Sequence, residues 1–128
     1  MKLLIDTSVI IEFVRLKATE QTLLYKLAKA EHELLVSIVT HTELYSGKSI
    51  WEREEARQEL EKLLRGITIL PYDLELSMEA GRLKVVYNHP DLVDCIIAAT
   101  AALHNLPLAT LNTKDFVQIG EVELFSPK

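Results

Sequence analysis

Short apolar runs alternate along the chain with longer segments in which apolar residues recur every three or four positions. The short runs are typical of buried strands, and the longer segments are typical of helices that bury one face. Because helices separate the strands, the pattern predicts an α/β fold, a three-layer α/β/α sandwich around a central, mainly parallel sheet of four or five strands. The predicted strands cover residues 2–5, 34–36, 67–70 and 108–110, with residues 122–125 as the candidate fifth.

Residues that commonly cap helices mark several of the predicted boundaries. Asp6, Thr7 or Ser8 can begin the first helix, and Ser37 or Thr40 can begin the helix after the second strand. The other predicted helices cover residues 19–31, 52–65, 73–87 and 92–104, with Gly66 placed after the second of these as a C-cap glycine would be.

The composition indicates one globular domain, residues 1–128, without a membrane-spanning segment. Hydrophobic residues make up 48% of the 128 positions and charged residues 26%, which is ordinary for a globular protein. No run of about 18 uncharged apolar residues is present. The one cysteine, Cys95, cannot form an internal disulfide, which favours a reducing cytoplasm.

The formal net charge is −5 at pH 7, from 19 acidic and 14 basic side chains. This balance argues against a protein that holds nucleic acid by bulk positive charge. It remains compatible with an enzyme that concentrates acids in one metal site.

Four acids follow the predicted strands in a way that points to one edge of the sheet. Asp6 directly follows the first strand, and Glu43 lies in the first turns of the helix after the second strand. Asp94 lies in the first turn of the helix after Pro90, and Asp115 comes five residues after the fourth strand. Ligands of parallel α/β sheets gather outside the carboxyl ends of the strands. Any one of these acids alone is more commonly a cap or a partner of the helix dipole.

The neighbours of Asp94 strengthen the functional interpretation. The helix that it begins is apolar on nearly all sides, so an acid at its start is at least half buried. Two carboxylates about 4 Å apart repel by about 4 kcal/mol at an effective dielectric constant near 20. Converging acids therefore need protonation, basic partners or a divalent cation, and oxygen-only ligands favour Mg²⁺ or Mn²⁺ over zinc.

The sequence resembles the PIN-domain family and, within it, the VapC toxins of prokaryotic toxin–antitoxin pairs. Four stretches carry the resemblance, and they occur in the family's order over nearly the whole chain. They are residues 4–10 around Asp6, 37–44 ending in Glu43-Leu44, 94–101 beginning with Asp94, and 108–116 around Asp115.

The resemblance implies a metal-dependent ribonuclease that leaves a 5′-phosphate and a 3′-hydroxyl. It makes Asp6, Glu43, Asp94 and Asp115 the catalytic, metal-binding acids, with Asp6 and Asp94 on the main ion and Asp115 completing the site. Glu43 is then the residue that orients the attacking water or holds a second ion. Secondary candidates for contacts to water or metal are Thr7, Thr110 and Asn112.

The segment 82–94 departs from the family because it is short and lacks the glycine often found there. Asp91 in this segment is interpreted as an N-cap or first-turn acid, with a metal role as the less favoured alternative. None of His32, His41, His89 and His104 shows the spacing of metal ligands, so no site role is predicted for them.

The resemblance also implies an RNA substrate, a homodimer and a cognate VapB-like antitoxin. The antitoxin would lie in a groove formed by the apolar faces of residues 40–46 and 52–64, although those faces can equally be core. Candidates for steering RNA are Arg15, Lys48, Arg82, Lys84 and Lys114, each of which is more commonly a solvated surface charge.

Two other functions remain open from the residues. An Asp-nucleophile phosphatase would place a second Asp two residues after Asp6, where this chain has Ser8. A non-catalytic or regulatory PIN-like binding module would not need all four acids. Metal-dependent cleavage of single-stranded RNA, tested against cleavage of aryl phosphates, separates the three.

Overall fold

A four-stranded sheet lies at the centre of the molecule, in a computed structural model that describes residues 1–126. All of its strands are parallel, and their order is β3-β2-β1-β4. The strands are β1 (Lys2–Ile5), β2 (Glu33–Ser37), β3 (Thr68–Leu70) and β4 (Leu108–Ala109). The parallel arrangement puts the carboxyl ends of the strands at one edge, with Asp6 at the end of the inner strand β1.

Eight helices of the described residues cover the sheet. They are α1 (Thr7–Arg15), α2 (Leu23–Lys29), α3 (Ile38–Tyr45), α4 (Lys48–Glu52), α5 (Glu54–Leu64), α6 (Leu74–Val86), α7 (Leu92–Leu103) and α8 (Thr113–Val117). No helix within residues 1–126 is both long enough and apolar enough to cross a bilayer.

Alternation along the strands builds two cores, one on each face of the sheet. On β1, Leu4 packs in the core that contains α6 and α7, whereas Leu3 and Ile5 pack in the core that contains α1, α2 and α5. Residues 95–101 of α7 are all buried, as the apolar pattern predicts. The three-layer α/β/α sandwich with a parallel sheet is therefore confirmed.

The candidate fifth strand is not formed within the described residues. Leu124 makes an isolated parallel bridge with Leu108, and Leu108 exchanges main-chain hydrogen bonds with Glu123 and Phe125, both at 2.8 Å. The chain end thus covers the outer edge of β4 without extending the ladder.

Three helix boundaries differ from the prediction. The predicted helix 19–31 begins only at Leu23, because the Thr22 hydroxyl caps it by accepting from Tyr25 N, and a single 3-10 turn precedes it. The predicted helix 52–65 begins at Glu54, after an extended Arg53. Gly66 is not a left-handed C-cap, since none of the described glycines has a positive φ. Of the two caps considered for α3, Ser37 is the one used, and its hydroxyl accepts from Val39 N.

Candidate active site

Asp6 lies at the carboxyl end of β1, in the N-cap position of α1, with only 3% of its surface exposed. The Ser8 hydroxyl donates to Asp6 Oδ1 at 2.6 Å, and the Thr110 hydroxyl donates to Asp6 Oδ2 at 2.7 Å. Burial raises the pKa of Asp6, and these two hydroxyl donors offset part of that rise. Asp6 is thus held rigidly, as a carboxylate whose charge is costly to bury.

Asp94 lies in the first turn of α7 and is half-buried. Asp91 is the N-cap of this helix, and its Oδ1 accepts from Val93 N at 2.8 Å and from Asp94 N at 3.2 Å. Burial raises the pKa of Asp94 to about 6, and the charges of Asp91, Asp115 and Asp6 add to the rise. Asp94 and Asp115, far apart in the chain, also line one surface depression. The N-cap interpretation of Asp91 is confirmed.

Asp115 is exposed in the short helix α8, which follows β4. The loop between them is fixed by Thr110, whose hydroxyl accepts from Asn112 N at 2.9 Å while it donates to Asp6. Asn112 takes part in this contact through its main chain. Thr110 thus connects the loop that leads to Asp115 with the carboxylate of Asp6.

Glu43 reaches the same edge of the sheet from α3, and its side chain is exposed. Thr7 Oγ1 donates to Glu43 Oε1 at 2.5 Å and lies 3.1 Å from the hydroxyl of the buried Thr40. Thr7 therefore positions an acid here, and its contact to metal or water stays a prediction.

The site suits a hard divalent cation by the chemistry of its donors. The candidate ligands are carboxylate oxygens, and within residues 1–126 no Lys or Arg forms an ion pair with Asp6, Asp94 or Asp115. Crowded carboxylates without basic partners favour Mg²⁺ or Mn²⁺. With the side chains as oriented here, no group of three acids, histidines or cysteines in the described residues is arranged to hold one ion. The carboxylate donors therefore suit Mg²⁺ or Mn²⁺, but the described side chains do not form a closed coordination sphere around an ion.

Two residues of the site were not predicted from the sequence. The sequence suggests Ser8 only as a helix cap and as a departure from the phosphatase pattern. In the structure its hydroxyl donates to the Asp6 carboxylate and accepts from Leu111 N at 3.2 Å. His89, which was given no site role, is 2% exposed and has Nε2 3.9 Å from Asp94 Oδ2. A hydroxyl two residues after a strand-end Asp is a local signal that could have identified Ser8. No pattern in the sequence marks His89.

The basic residues proposed to steer RNA differ in their surroundings. Arg82 is held by Glu79 and Glu121, and Lys48 pairs with Glu52 on the surface at 3.6 Å. The remaining three candidates are placed as follows: Lys84 donates to the His89 carbonyl at 2.8 Å, Arg15 lines a groove beside Glu43, and Lys114 is exposed next to Asp115. Arg15 and Lys114 are the better placed to meet a polyanion at this edge.

An open depression of about 580 Å³ lies beside the acids. Residues 89–94 and Asp115 line it, so both Asp94 and Asp115 face solvent there. A second groove of about 310 Å³ starts at Glu43 and runs between α1, α3, α4 and α5. A large ligand can therefore approach the acids from two sides.

Comparison with known proteins gives matches over nearly the whole chain. The family model of the PIN domain matches residues 3–122. The curated ribonuclease VapC of Rickettsia bellii is 31% identical over 134 residues, which cover 98% of this chain and 96% of that protein. A toxin–antitoxin complex from Klebsiella pneumoniae is similar with a TM-score of 0.75 at 28% identity, over 98% of both chains. VapBC2 from Rickettsia felis, bound to a DNA fragment from its promoter, gives a TM-score of 0.78 at 20% identity over all of both chains, a likeness of fold.

Proposed function

Because the chain belongs to the PIN-domain family, we propose that it is a metal-dependent endoribonuclease of the VapC type, the toxin of a toxin–antitoxin pair. A curated relative at 31% identity over 98% of the chain is a ribonuclease. The observation that carries the proposal is that Asp94 and Asp115 line one depression, while the buried Asp6 is bonded to Thr110 at the start of the loop that leads to Asp115. RNA as the substrate also makes the cytoplasm the expected location.

Asp6, Asp94 and Asp115 are the residues that would hold Mg²⁺ or Mn²⁺. A bound divalent ion supplies charge relief on the scissile phosphate and an activated water. The chain's own contribution is orientation: Ser8 and Thr110 fix the two oxygens of Asp6. The Asp91 cap fixes the start of α7 beneath Asp94. The carboxylate of Asp6, held at both oxygens, therefore loses little entropy when it binds an ion or orients a water.

Glu43 is proposed to orient the attacking water or to hold a second ion. Its carboxylate is aligned by Thr7, which is packed against Thr40. Because the side chain is exposed, Glu43 can accept a proton from water at the open side of the site. Asn112 remains a secondary candidate, and Thr110 acts through Asp6.

The groove that starts at Glu43 is the proposed seat of a VapB-like antitoxin. The predicted groove of residues 40–46 and 52–64 contributes Leu44 and Leu60, and α1 adds Ile11 and Val14. Further lining residues are Arg15, Glu43, Gly47, Ser49, Ile50, Arg53, Ala56 and Glu59. An apolar floor with both charge signs at the rim suits an amphipathic segment, and an occupant of the groove reaches Glu43. A homologous solved structure at 28% identity is a toxin–antitoxin complex.

A homodimer is proposed through the exposed face of α6. Leu74, Met78 and Val85 are 85%, 77% and 82% exposed and lie at helical spacing, with Gly81 between them. A Cβ added at Gly81 would meet nothing within 4 Å, so a second helix can approach closely there. Exposed apolar stripes of this size commonly mark self-association.

Cleavage of a fluorescent single-stranded RNA in Mn²⁺ tests the proposed activity. Cleavage is expected to leave 5′-phosphate ends, to stop in EDTA and to be lost in Asp6→Asn. The matched control is Asp73→Asn. Asp73 is the N-cap of α6, and its carboxylate accepts a hydrogen bond from Leu76 N. It is not one of the four candidate acids of the site. Cleavage that persists in EDTA, or in Asp6→Asn, would overturn the proposal, as would cleavage of aryl phosphates but not of RNA.

A further inference from the structure

His89 follows α6 at a turn that fixes its main chain. Asn88 takes the left-handed conformation, with φ 49°. His89 N donates to Lys84 O and Asn88 N donates to Val85 O, the two bonds of a Schellman motif. Lys84 Nζ then donates back to the His89 carbonyl at 2.8 Å. These hydrogen bonds thus fix the main chain of His89 independently of the contacts of its side chain.

The imidazole of His89 is buried and uses both nitrogens. Nε2 lies 2.8 Å from the Asp115 carbonyl oxygen, which can only accept a hydrogen bond, so Nε2 carries the proton. In the neutral ring Nδ1 is then an acceptor, and it accepts from Asp91 N at 3.1 Å. A proton on Nε2 satisfies both of these contacts at once, and Nδ1 also lies 3.2 Å from the Asp91 carbonyl oxygen.

The Asp115 carbonyl oxygen can accept from His89 because α8 ends in a tight turn. Ile119 N, which would donate to Asp115 O in a continuing α-helix, donates instead to Phe116 O at 3.0 Å. A helix of five residues has little stability of its own. Its placement relative to α7 therefore depends on contacts from outside, and the largely buried ring of His89 provides one.

We propose that His89 is a positioning residue that holds the elements bearing Asp94 and Asp115 in register, so that the two carboxylates can bind one cation. It acts on Asp115 through the main-chain carbonyl, and on Asp94 through Asp91, the cap of α7. This inference rests on the proposed metal-dependent function and adds a residue to it. This role requires no contact between His89 and the ion or the RNA.

Two amide substitutions separate the contacts of His89. The amide nitrogen of His89→Gln can replace the Nε2 donor to Asp115, whereas the amide oxygen of His89→Asn can replace only the Nδ1 acceptor for Asp91. We expect Mn²⁺ affinity of the intact chain, measured without RNA by the EPR signal of free Mn²⁺, to fall about 10–100-fold in His89→Asn. In His89→Gln the loss of Mn²⁺ affinity should be smaller than in His89→Asn, because the link to Asp115 is kept although the acceptor for Asp91 N is lost.

The matched control is Thr22→Ala, which removes a fully buried hydroxyl that caps α2. Its melting temperature in EDTA should fall, while its Mn²⁺ affinity should stay as in wild type. RNA cleavage by His89→Asn should need more Mn²⁺ for half-maximal rate and recover most of the wild-type rate at saturation.

Wild-type Mn²⁺ affinity in His89→Asn would overturn the positioning role while leaving the proposed function intact. The positioning role would also be overturned if the loss of Mn²⁺ affinity were simply proportional to the loss of melting temperature in all three variants, His89→Asn, His89→Gln and Thr22→Ala. Absence of Mn²⁺ binding by the wild-type chain would instead overturn the proposed metal site and the role of His89 with it.

Discussion

Thr110 donates a hydrogen bond of 2.7 Å to Asp6 across 104 positions of sequence. The bond is buried and joins the ends of the neighbouring strands β1 and β4. The same hydroxyl accepts from Asn112 N, so one side chain fixes both an acid and the loop that leads to the next acid. The geometry of the site thus depends on the register between two strands.

Thr110→Val tests this dependence, since it keeps the shape and removes the hydroxyl. We expect the free energy of unfolding without metal to fall by about 1–2 kcal/mol, because Asp6 and Asn112 N lose a buried partner. The pKa of Asp6 should rise further, because burial then acts with one donor fewer. Urea denaturation and an NMR titration of the Asp6 carboxyl carbon measure the two effects.

The control is Thr100→Val, which removes a fully buried hydroxyl bonded only within α7, to Ile96 O. It should change the free energy of unfolding by less and leave the pKa of Asp6 unaltered. An unchanged Asp6 pKa in Thr110→Val would show that the bond does not hold the ionised carboxylate.

The sequence allowed prediction of the sheet edge and of the acids on it. Asp6 and Asp94 are set by strong local signals, a buried strand that ends and an apolar helix that begins, and both signals survive in the structure. Parallel topology then determines which acids can meet. Apart from the hydroxyl of Ser8, two residues after Asp6, no comparable signal predicts the partners of those acids.

Partners depend on side-chain directions and loop closure, which sequence periodicity does not describe. His89 is an example, because its contacts arise only when α8 packs beside α7 and exposes the Asp115 carbonyl. Arg82 is predicted from the sequence to steer RNA, whereas in the structure its guanidinium forms an ion pair with Glu121. Both outcomes depend on residues about 26 to 39 positions away.

Asp94→Asn is expected to stabilise the metal-free chain. The pKa of Asp94 rises from 3.8 to about 6 on folding, so its ionised form opposes folding. The contribution of Asp94 to stability in EDTA should therefore be fully present below about pH 4. It should be lost as the pH rises through about 6. At pH 8 the variant should melt about 2–5 °C above wild type by calorimetry.

The order should reverse when Mg²⁺ is added, because only the wild-type carboxylate gains binding free energy. Some pH dependence should persist in the variant, since burial also raises the pKa of Asp6. A variant that melts below wild type in EDTA would contradict the view that these carboxylates repel one another.

Ala56→Arg is expected to block the groove that starts at Glu43. Ala56 is half-buried on α5 and lines that groove, so a long side chain there occupies the space of a docked segment. Affinity for the proposed VapB-like antitoxin, measured by calorimetry, should fall more than about tenfold, a loss above 1.4 kcal/mol. RNA cleavage by the free chain should persist.

Ala28→Arg is the matched control for this groove, because Ala28 is an exposed helical alanine on α2. It should bind the antitoxin as wild type does. Equal affinities of Ala56→Arg and wild type would place the antitoxin elsewhere on the toxin.

Met78→Glu is expected to convert a dimer into a monomer. Met78 is at the middle of the apolar stripe on α6, and Glu79 and Arg82 form a polar rim beside it. In a two-fold interface the substitution buries two carboxylates close to each other, at a cost of several kcal/mol. Sedimentation velocity should show a slower species for the variant, with the far-UV circular dichroism spectrum unchanged.

Leu16→Glu supplies the comparison, since it adds the same charge at another exposed apolar position, just after α1. That variant should remain dimeric. If Met78→Glu sediments as wild type does, the stripe is not the interface. If the wild-type chain is itself monomeric at the concentrations used for cleavage, self-association is not needed for activity, because each chain carries its own Asp6, Asp94 and Asp115.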